Sequence, residues 1–390
     1  MNEDRVVQPL LHVVAMALLA ACLLGTHLQR AHADAPARPA IDSDPLAHPA
    51  PATLQALRPP KRMRPLVAVL GLNEGSETVD FLVPYAVLTR SGVADVVAVS
   101  VAPGAITLMP ALTVLPEATI AQFDRRNPTG ADYVIVPAMH DAADPRVLGW
   151  LRAQATSGAT IVGVCAGSLV LAEAGLLRDR RATTHWFQID AMRRIEPSVS
   201  YVPNARYVVD RGVVTSTGIS AALPVSLAIV AAIGGTPRAD ALARTLGIRD
   251  WGTRHDSAQF GLTVTRVLNY AGNALARWRH ERMGIHITPG TDEIALAFVA
   301  NAYAATYLVD VLALGASHAP ITLSGGLRLV PDGVLGPTEV DHTLAAIDTT
   351  DPSAALARAL SAIRARYGDG SAEIVRLELE YPGPGRAARR

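Results

Sequence analysis

The 390-residue sequence predicts an α/β fold, a doubly wound and mostly parallel sheet, with a second, smaller α/β domain behind it. Three observations predict it. Short apolar β-branched runs alternate with helical stretches from Pro65 to Gly235, the pattern of a parallel sheet covered on both faces. One of those runs, Thr160 to Val164, passes into Gly163-Val164-Cys165-Ala166-Gly167 and then into a helix composition, Ser168 to Ala174, stopped by Gly175. Finally, Asp95 to Glu117 aligns without gaps onto Asp310 to Asp332, an offset of 215, with eight of 23 positions identical. That offset suggests a partial second copy in the C-terminal region, one that lacks the G-x-C-x-G turn.

Taken in order, residues 1–33 contain the apolar run Val13 to Leu24 followed by Ala31-His32-Ala33, the pattern of a secretory signal. A cleaved signal, an uncleaved membrane anchor and a lipobox at Leu19-Ala20-Ala21-Cys22 stay open as alternatives. All three imply export, to the periplasm or to the outer face of a membrane. Residues 34–65 carry eight prolines among many alanines and predict an extended spacer. The first domain is then expected over 66–235. Its strands are predicted at Leu66–Leu70, Asp95–Ser100, Asp132–Pro137, Thr160–Val164 and Val213–Thr215. A hairpin is expected over Ile106–Leu115. Helices are expected at Ser76–Arg90, with Pro84 interrupting it early, at Pro145–Ser157 and at Ala221–Ile233. Residues 236–282 read as a helical connector and 283–390 as the second α/β domain. There, Ile285–Thr288 opens the domain, Glu293–Tyr307 and Ala354–Tyr367 are helices, and Ile374–Tyr381 is a strand.

Strand, G-x-C-x-G, helix is a nucleophile-elbow pattern with sulfur in place of oxygen. The glycines permit a tight turn, and the helix start beyond it favours a thiolate at Cys165. Backbone N–H groups of Ala166 and Gly167 are candidates to hold a developing anion. The alternative is a small buried core cysteine. The only other cysteine is Cys22, so loss of the N-terminal segment leaves no internal disulfide. Lys61 is the sole lysine and lies in the Pro-rich stretch, which removes Schiff-base chemistry from the folded region. A formal net charge of zero and the lack of a recognition-helix pattern argue against nucleic acid as a partner. Neither a metal nor a cofactor is expected.

Asp80-Phe-Leu-Val-Pro84, Asp132-Tyr-Val-Ile-Val-Pro137, Gly163-Val-Cys-Ala-Gly-Ser168, Ala182-Thr-Thr-His-Trp186 and Thr215-Ser-Thr-Gly-Ile-Ser-Ala221 together resemble the DJ-1/PfpI superfamily, of class I glutamine amidotransferase-like fold. Within it the sequence is most similar to isonitrile hydratases and to the sensor domains of AraC-type regulators. The resemblance implies that Cys165 is the nucleophile, Asp80 its acidic partner, and His185 a histidine near the pocket. It also implies a small-molecule substrate or ligand and a homodimer, though no interface is legible in the sequence. Two reactions are disfavoured, because Ala166 stands where PfpI-type peptidases have histidine and no late His-Pro-Glu-like dyad follows Val214. Many members carry Gly-Gly after the strand ending at Pro137, whereas this chain has Ala138-Met139-His140. Those side chains line that side of the pocket, and His140 becomes a second polar candidate. Two functions follow as expectations: hydratase or hydrolase chemistry on a small electrophile, or a non-catalytic module that binds a ligand or senses oxidants through its thiol.

Overall fold

The computed structural model describes residues 47–57, 61–344, 347 and 352–382. The expected signal or anchor at 1–33 lies outside the described residues. Among those that are described, no helix is long and apolar enough to cross a membrane.

The Pro-rich stretch is not a spacer where it is described. Pro51 opens α1 (Pro51–Ala56) from the first helical position, where its missing N–H costs nothing. Leu57 just beyond is only 3% exposed and joins the main core. Ala47 donates its N–H to the Arg249 carbonyl and accepts one from Trp251, and the His48 ring lies against Trp251. Leu57, Leu54 packed against the same cluster, and these backbone bonds anchor an arm that composition alone reads as loose.

The N-terminal sheet is built on β1 (Leu66–Gly71), buried along its whole length. β2 (Ser76–Glu77) leads into α2 (Thr78–Ser91), then β3 (Asp95–Ser100). Pro84 lies within α2 without breaking it, at the cost of the hydrogen bond its N–H would have made to the Asp80 carbonyl. β4 (Ile106–Met109) and β5 (Thr113–Leu115) make the predicted hairpin, and β6 (Ala118–Thr119) leads into α3 (Ile120–Arg126). β7 (Tyr133–Val136), α4 (Pro145–Thr156), β8 (Thr160–Gly163) and α5 (Gly167–Glu173) follow. After the short β9 (Arg181–Ala182), α6 (Ile189–Ile195) and β10 (Ser200–Tyr201), the sheet is finished by β11 (Tyr207–Asp210) and β12 (Val213–Ser216). Strand order is β11-β12-β8-β7-β1-β3-β6, parallel throughout except for the β11–β12 pair. Alternation along the strands divides the core in two: Val67, Val69, Tyr133 and Ile135 face one cluster, and Leu66, Ala68, Leu70 and Val134 the other.

α7 (Ala222–Gly234), α8 (Thr236–Thr245) and α9 (Val264–Leu275) lead to a second, all-parallel sheet. It contains β13 (Glu281–His286), which begins four residues ahead of the expected strand, and α10 (Glu293–Ala304) packed beside β14 (Val309–Gly315). Then come β15 (Ile321–Thr322), β16 (Arg328–Leu329), β17 (Gly333–Val334) and β18 (His342–Leu344). Strand order is β17-β14-β13-β18. From α10 to β17, each element starts 214 or 215 residues after α2, β3, β4, β5 and β6 respectively. Even single bonds recur: the Glu117 carboxylate accepts the Ala98 N–H, and the Asp332 carboxylate accepts that of Ala313.

The two sets of elements meet about a local pseudo-twofold axis. β5 and β16 pair antiparallel with Val114 opposite Leu329, two residues that are themselves 215 apart. α2 packs on α10 beside that pair, and one apolar cluster runs through both. An antiparallel contact between equivalent residues is what an isologous dimer interface makes between two chains. Here it is made within one.

The strand expected at Ile374–Tyr381 is instead helical. α11 (Ala354–Glu378) runs through it, kinked at Gly368, which adopts φ 87°. Ile374 and Leu377 pack with Tyr270 and Ala274 of α9, while Tyr270 and Tyr307 both donate to the Glu378 carboxylate. Apolar–charged alternation over eight residues suits a strand, but docking against α9 decides the outcome.

Candidate active site at the cysteine turn

β8 delivers Val164, whose N–H still bonds the Val136 carbonyl, and the chain then reverses at Cys165 with φ 53°. That left-handed conformation is uncommon for a residue with a Cβ and concentrates at functional turns. The flanking glycines are needed for contact. A Cβ on Gly167 would lie 2.1 Å from the Val136 carbonyl oxygen, and one on Gly163 would lie 3.0 Å from the Ser168 nitrogen. Cys165 donates its N–H to Ser216 Oγ at 3.1 Å, and Ser168 Oγ donates to the Cys165 carbonyl at 3.0 Å.

The thiol differs from the expected thiolate. Cys165 is 5% exposed, and burial pushes its pKa well up, with Asp80, Glu77 and Glu380 adding negative charge in the same direction. The Ala166 N–H works the other way by bonding the sulfur, but does not offset them. α5 has only seven residues, too short for a strong terminal field. Gly167 is not a free donor, since its N–H bonds the Val164 carbonyl at 2.7 Å. Of the two expected anion-holding groups, Ala166 alone points at the sulfur.

Asp80 sits in the first turn of α2, fully buried. Its Oδ2 accepts the Ala138 N–H at 3.1 Å, while Oδ1 has no hydrogen-bond partner. Burial raises its pKa to about 7 against the lowering effect of the Ala138 N–H. Beside it stands Glu77, which the sequence reading passed over. The Glu77 carboxyl accepts the Asp80 N–H at 2.5 Å as the cap of α2, and it too is pushed up by burial and by Asp80. Asn301 of α10 donates to its other oxygen across the junction of the two sets of elements. An acidic residue three positions before Asp80, at a helix start, is a capping signal that spacing could have revealed.

Ala138 therefore contributes a donor to Asp80, and its carbonyl holds the Glu77 N–H. Met139 is half-buried in the opposite core cluster, and His140 is exposed, bonded through its N–H to Gly75; neither lines the cysteine. His185 is buried but committed to structure: Nδ1 accepts the Phe187 N–H, and Nε2 lies 3.0 Å from the Glu378 carbonyl. The structure thus joins Cys165, Asp80 and Ala166 and adds Glu77, Asn301 and Glu380. Among the described residues no group of three or more His, Cys, Asp or Glu is placed to hold a metal ion.

The DJ-1/PfpI family model matches residues 66–232. Those residues are a DJ-1/PfpI family domain. The chain is 40% identical over 94 residues to the HTH-type transcriptional regulator CdhR of Pseudomonas aeruginosa, a match covering 24% of this chain and 28% of that protein. It is 36% identical over 97 residues to the isonitrile hydratase of Pseudomonas putida, covering 25% and 41%. The chain spans less than half the length of either relative. Among solved structures, Drosophila melanogaster DJ-1beta superposes with a TM-score of 0.43 at 23% identity, covering 47% of this chain and 98% of that one. The DJ-1/PfpI domain holds the whole N-terminal sheet, while from outside the matched span Asn301 reaches Glu77 and Glu380 comes close to the cysteine.

Proposed function

We propose that Cys165 and Asp80 catalyse the addition of water to a small electrophile, with an isonitrile as the first class to test. The observation that carries this reading is the Asp80 carboxyl: buried beside the cysteine, poised near pH 7, and with one oxygen free to give or take a proton. A group whose pKa lies near the working pH is the most effective general acid–base. The protonated thiol fits this chemistry, because addition to an isonitrile consumes the S–H proton. Sulfur bonds the terminal carbon while Asp80 relays the thiol proton to that same carbon, leaving a thioimidate. Water then attacks the carbon and one of its protons goes to the nitrogen; the S–C bond breaks, Asp80 passes the second water proton to sulfur, and the formamide departs with the former thiol hydrogen on its carbon. Isonitrile plus water equals formamide, so no oxidant or reductant enters. The isonitrile hydratase similarity supports the choice of substrate class.

The test is turnover of a simple alkyl isonitrile, read as formamide by mass spectrometry. Cys165→Ala and Asp80→Asn, both checked for native circular dichroism, should each lower the rate about 100-fold or more. Formamide production by the wild type no faster than the blank overturns the reading. The second function, ligand binding without turnover, is supported by the regulator similarity and would show as isonitrile-dependent stabilisation with no product. A sealed thiol pushed toward its protonated form speaks against oxidant sensing, which needs a thiolate.

A further inference from the structure

The end of α11 carries a buried charge that the chemistry above does not use. Glu380 is 1% exposed and ionised, close enough to Cys165 to push the thiol up. Burial alone would raise its own carboxyl, but His255, His185 and the Gly218 N–H outweigh it and hold it below the usual range. Its carboxylate accepts the N–H of Trp186 on one oxygen. The other oxygen accepts the Gly218 N–H at 2.9 Å and faces His255 Nε2 at 3.3 Å. His255 is kept in place by stacking on Phe260, with ring centroids 5.2 Å apart.

The slot is shaped for this one group. A Cβ on Gly218 would lie 2.6 to 2.9 Å from three carbons of the Glu380 side chain, so only glycine leaves the room. The turn that inserts the carboxylate is itself constrained. Glu380 has φ 47°, its carbonyl is held by Ser220 Oγ, and the Leu379 carbonyl by the Ser220 N–H. Two converging N–H groups and a histidine, taken from the loops beside the cysteine, are the donor set that recognises a carboxylate.

We propose that Trp186, Gly218 and His255 form a carboxylate-binding site next to Cys165, which the chain fills with its own Glu380 and which takes a small carboxylic acid when that turn withdraws. The site lies beside the reactive pair but does not depend on turnover, because it is read through alkylation.

The experiment uses the full chain in a Cys22→Ser background, with iodoacetate and iodoacetamide as paired probes of Cys165, read by peptide mass. Wild type should favour the neutral reagent. Glu380→Ala should raise the iodoacetate-to-iodoacetamide rate ratio at least tenfold, and sodium acetate should protect Cys165 against sodium chloride at equal ionic strength. Adding His255→Ala should cancel both effects. The ratio cancels any change in thiol ionisation, which speeds both reagents alike. An unchanged ratio, or no labelling of Cys165 by either reagent in the variant, overturns the proposal. Should Glu380→Ala fail to fold, Glu380→Gln carries the decision: it keeps the side chain's size, loses its charge, and must show a raised ratio for the site to stand.

Discussion

In the N-terminal set of elements the helix after β1 begins Glu77-Thr78-Val79-Asp80; 215 residues on, the helix after β13 begins Asp292-Glu293-Ile294-Ala295. Both helices are capped by an acid that accepts an N–H three residues ahead, Glu77 from Asp80 and Asp292 from Ala295. Both are buried almost along their whole length. The capping acid therefore belongs to the architecture. Asp80 does not, because a helix of the same kind stands with alanine in its place. A fully buried carboxyl with a bare oxygen costs folding energy, and the C-terminal set does without one. The molecule thus contains its own control, and it sets Asp80 apart from the capping architecture, which supports the acid–base role proposed for it.

The second set spends its acids elsewhere. Asp292 and Glu293 both pair with Arg90 at the end of α2, and Glu293 also takes the Ser324 hydroxyl and the Gly325 N–H, each at 2.5 Å. Glu293 is fully buried and Asp292 nearly so. Removing the arginine leaves two carboxylates without their cation, a change that typically costs about 3–5 kcal/mol for a buried pair. Arg90→Ala should therefore be the largest stability loss among these variants, measured by urea unfolding. Spectra reporting on the Cys165 turn should hold until global unfolding. If they change first, at low denaturant, the C-terminal elements come away from the site before the N-terminal sheet unfolds.

Asp80 itself sets a sign that can be checked. Its pKa is raised from the ordinary 3.8 to about 7, so the folded chain binds a proton that the unfolded chain releases between those values. Its contribution is fully present below about pH 4 and is lost as pH rises through 7. Glu77 moves in the same direction. Asp80→Asn should flatten the fall in unfolding free energy between pH 4 and 7 by on the order of 2–4 kcal/mol relative to wild type. The counterpart Ala295 predicts the limit, a helix start with no such slope of its own. Parallel curves for the two proteins would mean that Asp80 ionises as it would in water.

How much of this was legible in the sequence follows from the range over which each feature is decided. The turn at Cys165 was readable because two glycines and an apolar run fix it within about ten residues. The recurrence at 215 was readable because Ile106-Thr-Leu108 and Ile321-Thr-Leu323 are short and local. Burial of the thiol was not, since Glu380 arrives from more than 200 residues away and brings no motif with it. The arm at 47–57 and the helix at 374–378 were misread for a related reason. Leu57 and Leu377 are ordinary apolar residues whose partners, not whose neighbours in sequence, give them their conformation. Ala138 was read for its side chain, although it is its backbone N–H that serves the site, by bonding Asp80.

The smallest expected effect tests whether the two sets are equivalent away from the cysteine. Glu117 accepts the Ala98 N–H at 2.7 Å, and Asp332 accepts the Ala313 N–H at 2.9 Å, at the same register of β3 and β14. Both residues are exposed, each directly ahead of a short strand (β6 or β17), so solvent partly replaces the lost bond when the carboxylate is removed. Asp332→Ala should cost about 1 kcal/mol, the net worth of one such hydrogen bond, and Glu117→Ala somewhat more, because Glu117 also bonds the Tyr85 hydroxyl. The two losses should add in the double variant to within about 0.5 kcal/mol, since the two bonds share no residue. A silent Asp332→Ala beside a costly Glu117→Ala would show that β14 opens before the rest of the molecule unfolds. In that case the C-terminal elements could release the end of α11 without disturbing the N-terminal sheet. A measurable loss from each variant would mean both sheets unfold together, so that Glu380 can leave its slot only by local movement of its own turn.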